Sequence, residues 1–261
     1  MNADELKTLT STALDSLATA LDEGHSERLT ALLTTMGRFH RYSLRNVWLI
    51  AAQRPTATRV AGFQAWKKVN RSVRRGEKGI AIMAPIVRHK REAERAEDES
   101  IVGFRAAYVF DIAQTEGEPL PDIAQSAGDP GAFLEQLRGA ITARGIVLEA
   151  AADLGGALGT SSGGRIHILA GLAPAMEFVT LAHEYAHELL HHGDDRPASR
   201  DIRELEAEAV AFVVSQAIGV DALDSARDYI HLYRGDRPAL QESLNRIQST
   251  AASILNALGT P

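Results

Sequence analysis

Residues 178–192 read FVTLAHEYAHELLHH. The apolar positions recur at helical spacing, Pro174 suits a first helical turn and Gly193 a stop, so the stretch predicts a helix over 174–192. Within it, His183 and His187 stand four residues apart and share one face. Two neutral imidazoles one turn apart can reach one Zn²⁺ at about 2.0–2.1 Å each. Glu184 lies on the adjacent face, where it cannot ligate the same ion but can take a proton from a water that the ion activates. The flanks are apolar, so the helix is buried, and buried His beside Glu184 and Glu188 would be costly without a partner. Glu184 is therefore the candidate catalytic base, and His183 and His187 the candidate ligands of a single Zn²⁺ per chain.

A catalytic zinc takes a third protein ligand. His191 is eight residues from His183, about 12 Å along a helix, too far for one ion to bridge. It and His192 suit the helix C-terminus or a supporting role. Better candidates lie in the next predicted helix, 200–218, which begins RDIRELEAEAVAF. Glu208 directly precedes its apolar part and needs a counter-charge there, so it ranks first. Glu204 ranks second and Glu206 third.

The chain has 261 residues, 45% apolar and 24% charged, a net charge of −6 and no cysteine. That length is comfortable for two domains. Without cysteine, disulfides, iron–sulfur clusters, thiolate zinc sites and a cysteine nucleophile are excluded. The first residues carry acids and no long apolar run, and no segment approaches the roughly 18 apolar residues of a membrane span. The sequence thus predicts a cytoplasmic protein with no membrane partner.

The average charge conceals a sharp asymmetry. Residues 38–91 hold fourteen Lys and Arg and one acid, Glu77, a net +13 that leaves −19 for the remainder. A basic front and an acidic back suggest units with different partners. Single-stranded nucleic acid needs cations along its phosphates and aromatic faces for its bases. Both Trp of the chain fall in this segment. Trp48, within VWLI, reads as core, whereas Trp66 beside Lys67 and Lys68 reads as a stacking residue. Arg45 and the basic turn Arg71, Arg74, Arg75 and Lys78 are the candidate backbone contacts.

The remaining pattern is α+β in two domains. Helices are predicted over 3–37, with a break at Gly24, over 43–53 and over 62–69. Strands follow at IAIMAPIV and IVGFRAAYVF, joined by a polar loop over 90–100. Residues 1–115 form the first domain, 116–130 a linker rich in Gly, Pro and acids, and 131–261 the second. There GIVLEA and RIHILA are strands, GGALGTSSGG between them a flexible turn, and 222–233 and 238–258 further helices.

The stretch FVTLAHEYAHELLHH followed by ELEAEAVAF resembles the ImmA/IrrE-type zinc metallopeptidases, and the resemblance places the third ligand on Glu208. YSLRNVWLIAAQRPTATRVAGFQAWKKVNRSVRRGEKGIAIMAPI resembles the N-terminal domain of ArdC antirestriction proteins of conjugative plasmids. The resemblance implies an N-terminal domain that binds single-stranded DNA and a C-terminal zincin-like, SprT-like metallopeptidase domain. The function it implies is antirestriction by hydrolysis of DNA-associated proteins. The alternative is a non-catalytic protein that shields incoming single strands, with a structural or cryptic zinc site.

Overall fold

The computed structural model describes residues 1–88, 100–120, 128–193, 196–222 and 236–260. Nearly all of the predicted loop over 90–100, about half of the predicted linker and nearly all of the predicted 222–233 helix fall outside these residues. The fold mixes helix and sheet, and contacts gather the chain into two compact units, Met1–Asp15 with Arg45–Asp122, and Ser16–Leu44 with Ile123–Pro261. Among the described residues no helix is long and apolar enough to cross a membrane.

In the first unit, β1 (Val60–Gly62), β3 (Ile80–Arg88) and β4 (Ser100–Asp111) form an antiparallel sheet in the order β1-β4-β3. The sheet's apolar face receives the start of helix α1 (Ala3–Asp22) and helix α3 (Leu44–Gln53): Leu6, Leu49, Ala81 and Met83 form one buried cluster. As the edge strand, β3 presents backbone groups that need partners. Asn46 of α3 both donates to the Met83 carbonyl and accepts from its N–H, each at 2.9 Å. Gln53 does the same for Ala81, at 2.8 and 2.9 Å. Two side-chain amides thus stand in for a missing strand.

Helix α4 (Phe63–Lys68) follows β1, and the short strands β2 (Arg71–Val73) and β5 (Thr115–Gly117) pair antiparallel. Glu116 and Gly117, read from sequence as the start of the linker, therefore belong to a strand. A Cβ on Gly117 would lie 2.3 Å from the Asn70 carbonyl oxygen, so this glycine serves close backbone approach at φ +134°. Before it, Asp111 is buried, and its carboxylate accepts from the N–H groups of Thr58, Arg59 and Ala113.

In the second unit, helix α2 (Glu27–Arg38) is followed by α5 (Ala132–Ala143), α6 (Pro174–Leu190), α7 (Arg200–Ala217) and α8 (Arg237–Ala257). A three-stranded sheet of β6 (Val147–Ala151), β7 (Gly159–Ser161) and β8 (Arg165–Leu169) has the order β6-β8-β7. β6 runs parallel to β8 and β7 antiparallel to it. The helix and strand expectations for 131–217 hold except for β7, which lies inside the predicted flexible turn. Its Gly-Thr-Ser sequence carries no apolar alternation and leaves no strand signal.

Candidate metal centre and basic surface

Helix α6 has Pro174 in its first turn and buries Phe178, Leu181, Ala182, Tyr185 and Ala186. That fixes its rotation, so His183 and His187 face helix α7. There the Ser199 side chain accepts from the Ile202 N–H and caps the first turn, while the apolar run from Leu205 onward is buried. The consequence is a close triangle. His183 Nε2 and His187 Nε2 lie 3.1 Å apart, and Glu204 Oε2 lies 3.6 Å and 3.4 Å from them. A tetrahedral ion with bonds of about 2.0–2.1 Å spaces its ligands about 3.4 Å apart, so two imidazoles and one carboxylate here match a divalent cation.

The meeting carboxylate is Glu204, not Glu208. Among the described residues the group able to hold a metal is His183, His187 and Glu204. Glu208, ranked first from sequence, sits one turn further along α7 and lines an apolar cavity beside His183 and Glu184. The reason is where the helices approach: the second turn of α7, not its third, meets the two imidazoles. Glu206 faces elsewhere, fully buried. Both of its oxygens accept from Arg246 Nε, at 3.1 and 3.2 Å. It also lies 3.2 Å from His191 Nε2. His191 stays outside the triangle, as its spacing requires, but its Nδ1 lies 2.8 Å from His187 Nδ1.

Glu184 is 8% exposed and lies against β7. A Cβ on Gly159 would come within 2.8 Å of both Glu184 Cγ and Thr180 Cγ2, so only glycine lets the sheet edge lie on the helix here. Burial pushes the Glu184 carboxyl up to about 7, with the Glu204 charge adding to the rise and a hydrogen bond to Ser161 opposing it. Burial also lowers the imidazoles: His183 goes down, and His187 goes down to about 4, with the neighbouring His183 contributing. Both rings are thus neutral at pH 7, with lone pairs available to a cation. The sequence reading missed Gly159, Ser161 and Arg246. Only the last leaves a trace, as an Arg among the apolar positions of the final helix.

The candidate nucleic-acid residues divide. Trp66 is 3% exposed and its indole N–H donates to the Phe110 carbonyl at 2.9 Å, so it is a core residue with no face for a base. Arg71 is half-buried, and its guanidinium ties β2 to β5 through the Thr115 hydroxyl and the carbonyls of Thr115, Gly117 and Glu118. Both are corrections to the sequence reading, since each side chain is used by the fold. Arg74 is exposed but donates to Glu77 at 3.1 Å and to the Ala113 carbonyl. Arg45, Lys67, Lys68, Arg75 and Lys78 are exposed, and no ion pair among the described residues engages them. The turn carrying Arg75 and Lys78 is held firmly: the Arg74 N–H donates to the Gln114 carbonyl, and the Gln114 amide donates to Glu77 and to the Lys78 carbonyl. Phe63, a further aromatic of the basic segment, is 44% exposed, with Lys67 Nζ 4.9 Å from its ring centroid.

Residues 7–110 match the family described as the N-terminal domain of the anti-restriction factor ArdC. Residues 146–220 match the IrrE N-terminal-like domain of the M78 peptidases. An uncharacterized protein of Bacillus anthracis is 24% identical over 308 aligned positions, covering 98% of this chain and 52% of the relative, so the chain spans about half of that relative's length. Among solved structures, the Mn(II)-bound antirestriction ArdC protein of plasmid R388 shares the fold with a TM-score of 0.51, at 17% identity over 96% of this chain and 98% of that one. The chain thus carries, in this order, a region that matches the ArdC N-terminal domain and a region that matches the IrrE-like domain.

Proposed function

We propose that this protein is a metal-dependent peptidase of the antirestriction class, which grips single-stranded DNA through its basic N-terminal domain and hydrolyses peptide bonds in DNA-associated proteins. The observation that carries the reading is the triangle of His183, His187 and Glu204 with Glu184 beside it. Two imidazoles and a carboxylate suit Zn²⁺, one per chain. The R388 protein whose fold it shares has been solved with Mn(II).

A divalent ion in this triangle would supply Lewis acidity, polarising a carbonyl and acidifying a water. The chain's own residues do the rest. Glu184, next in sequence to a ligand and shielded from solvent, takes a proton on its carboxylate and returns it to the leaving amine. The apolar cavity of about 360 Å³, walled by Leu158, Met176, Val179 and Phe212 and reaching His183 and Glu184, would receive a bulky apolar side chain next to the scissile bond.

On the first unit, Arg45, Lys67, Lys68, Arg75 and Lys78 would contact phosphates, and Phe63 takes over the stacking role expected of Trp66. These exposed cations equally favour the second reading, a shield that needs no turnover. An antirestriction assay separates the two. Glu184→Gln keeps every ligand and removes the base. Loss of protection in that variant, with metal content unchanged, supports the peptidase. Full protection by it, with loss on Arg75→Ala/Lys78→Ala, supports the shield.

A further inference from the structure

His187 has two ring nitrogens, and only one faces the triangle. Its Nε2 is 3.1 Å from His183 Nε2 and 3.4 Å from Glu204. Its Nδ1 points away, to His191 Nδ1 at 2.8 Å. Two nitrogens at that distance share one proton, so one is donor and the other acceptor. The opposite side of the His191 ring decides which. Its Nε2 lies 3.2 Å from a carboxylate oxygen of Glu206. Glu206 is fully buried and held by Arg246, which donates from Nε to both oxygens and from Nη2 at 2.5 Å. A carboxylate so paired is ionised and accepts only. His191 therefore donates from Nε2, and with a single proton on each ring its Nδ1 is the acceptor. That nitrogen then accepts from His187 Nδ1–H, and His187 Nε2 is left with its lone pair.

We infer that Arg246, Glu206 and His191 form a buried relay whose task is to hold His187 in the tautomer that presents Nε2 to the metal, with His191 as a positioning residue. The inference rests on the metal reading for its purpose, though not for its geometry. The alternative proton order, with His191 donating from both nitrogens, would put hydrogen on His187 Nε2 and block it as a ligand. His183 is the internal contrast, because its Nδ1 has no hydrogen-bond partner among the described residues. Nitrogen partners behind a metal-binding ring commonly carry a 10–100-fold effect on affinity.

The test has two independent readouts. The first is ¹⁵N NMR of the histidine rings in the metal-free full chain. The relay requires His187 as the Nδ1–H form in the wild type, and a shift toward Nε2–H in His191→Phe. The second is titration with Zn²⁺ alone. His191→Phe should bind about 10–100-fold more weakly, with the fold retained by circular dichroism, and His191→Asn, whose carbonyl can stand where Nδ1 stood, should recover most of the loss. A wild-type His187 protonated on Nε2 overturns the inference, as does a His191→Phe protein with unchanged tautomer and unchanged affinity. If the wild type takes up no divalent metal, the metal reading fails while the NMR result still decides the relay. Should His191→Phe not fold, the wild-type tautomer and the Asn variant carry the test.

Discussion

Replacing Glu204 with Gln is the sharpest perturbation of the proposed centre. The change keeps shape and volume and removes one charge. Glu204 Oε2 lies 3.4–3.6 Å from both Nε2 atoms, the spacing of ligands about 2 Å from a common ion. An amide oxygen in that place is a neutral and weaker donor for a divalent cation. Because a residue one shell further out already commands 10–100-fold, losing this direct ligand should cost at least about 100-fold in Zn²⁺ affinity, or about 3 kcal/mol at 1.4 kcal/mol per decade. Glu208→Gln, one turn away and outside the triangle, should cost about tenfold or less through the field alone. The assay is competition with a chelator of known affinity, run on the wild type and both variants in the same buffer, with thermal unfolding of the metal-free proteins as the control for folding. If Glu208→Gln loses metal and Glu204→Gln keeps it, the assignment from geometry is refuted and the ranking drawn from the sequence stands.

Three further outcomes follow from the same geometry. Gly159→Ala brings a methyl within 2.8 Å of Glu184 Cγ and Thr180 Cγ2; overpacking of this kind costs about 1–3 kcal/mol, so unfolding should shift accordingly and Glu184 should be displaced while zinc still binds. The pH dependence of metal-free stability should change in Glu184→Gln. With its pKa pushed up to about 7, folded Glu184 keeps a proton that the unfolded chain releases, so its contribution weakens folding as pH rises through about 4.5 to 7. The lowered His183 and His187 act oppositely, strengthening folding as pH rises toward 6.5, over a window that for His187 opens at about 4. Glu184→Gln removes only the first effect, so its advantage over wild type in denaturant midpoint should grow by about 2 kcal/mol between pH 5 and 8, and a constant difference would contradict the raised value. Finally, Arg75→Ala/Lys78→Ala should weaken single-strand binding and flatten its log–log salt slope by about 1.4, at about 0.7 per phosphate contact. Arg71→Ala should instead lower the thermal midpoint, because its guanidinium spans β2 and β5. Equal effects of the two on salt slope would return Arg71 to the DNA surface.

The sequence by itself determined whatever one short helix or one composition shift can encode. The pair His183 and His187 with Glu184 beside them follows from the 3.6-residue turn, and the +13 segment follows from counting. The two long strands and the major helices announced themselves through apolar periodicity. What only the tertiary structure decided is every relation between elements. Three glutamates at alternate positions of α7 look alike in sequence. The crossing of α6 and α7 makes Glu204 the partner of the imidazoles, sends Glu206 to Arg246 and leaves Glu208 at a cavity wall. Trp66 and Arg71 sit in a basic stretch that reads as a nucleic-acid surface, yet a carbonyl on β4 and another set on β5 claim them. Gly159 and Gly117 look like loop glycines because a missing side chain leaves no pattern. They are required where another chain segment occupies the space a Cβ would take, and local sequence carries no record of that neighbour.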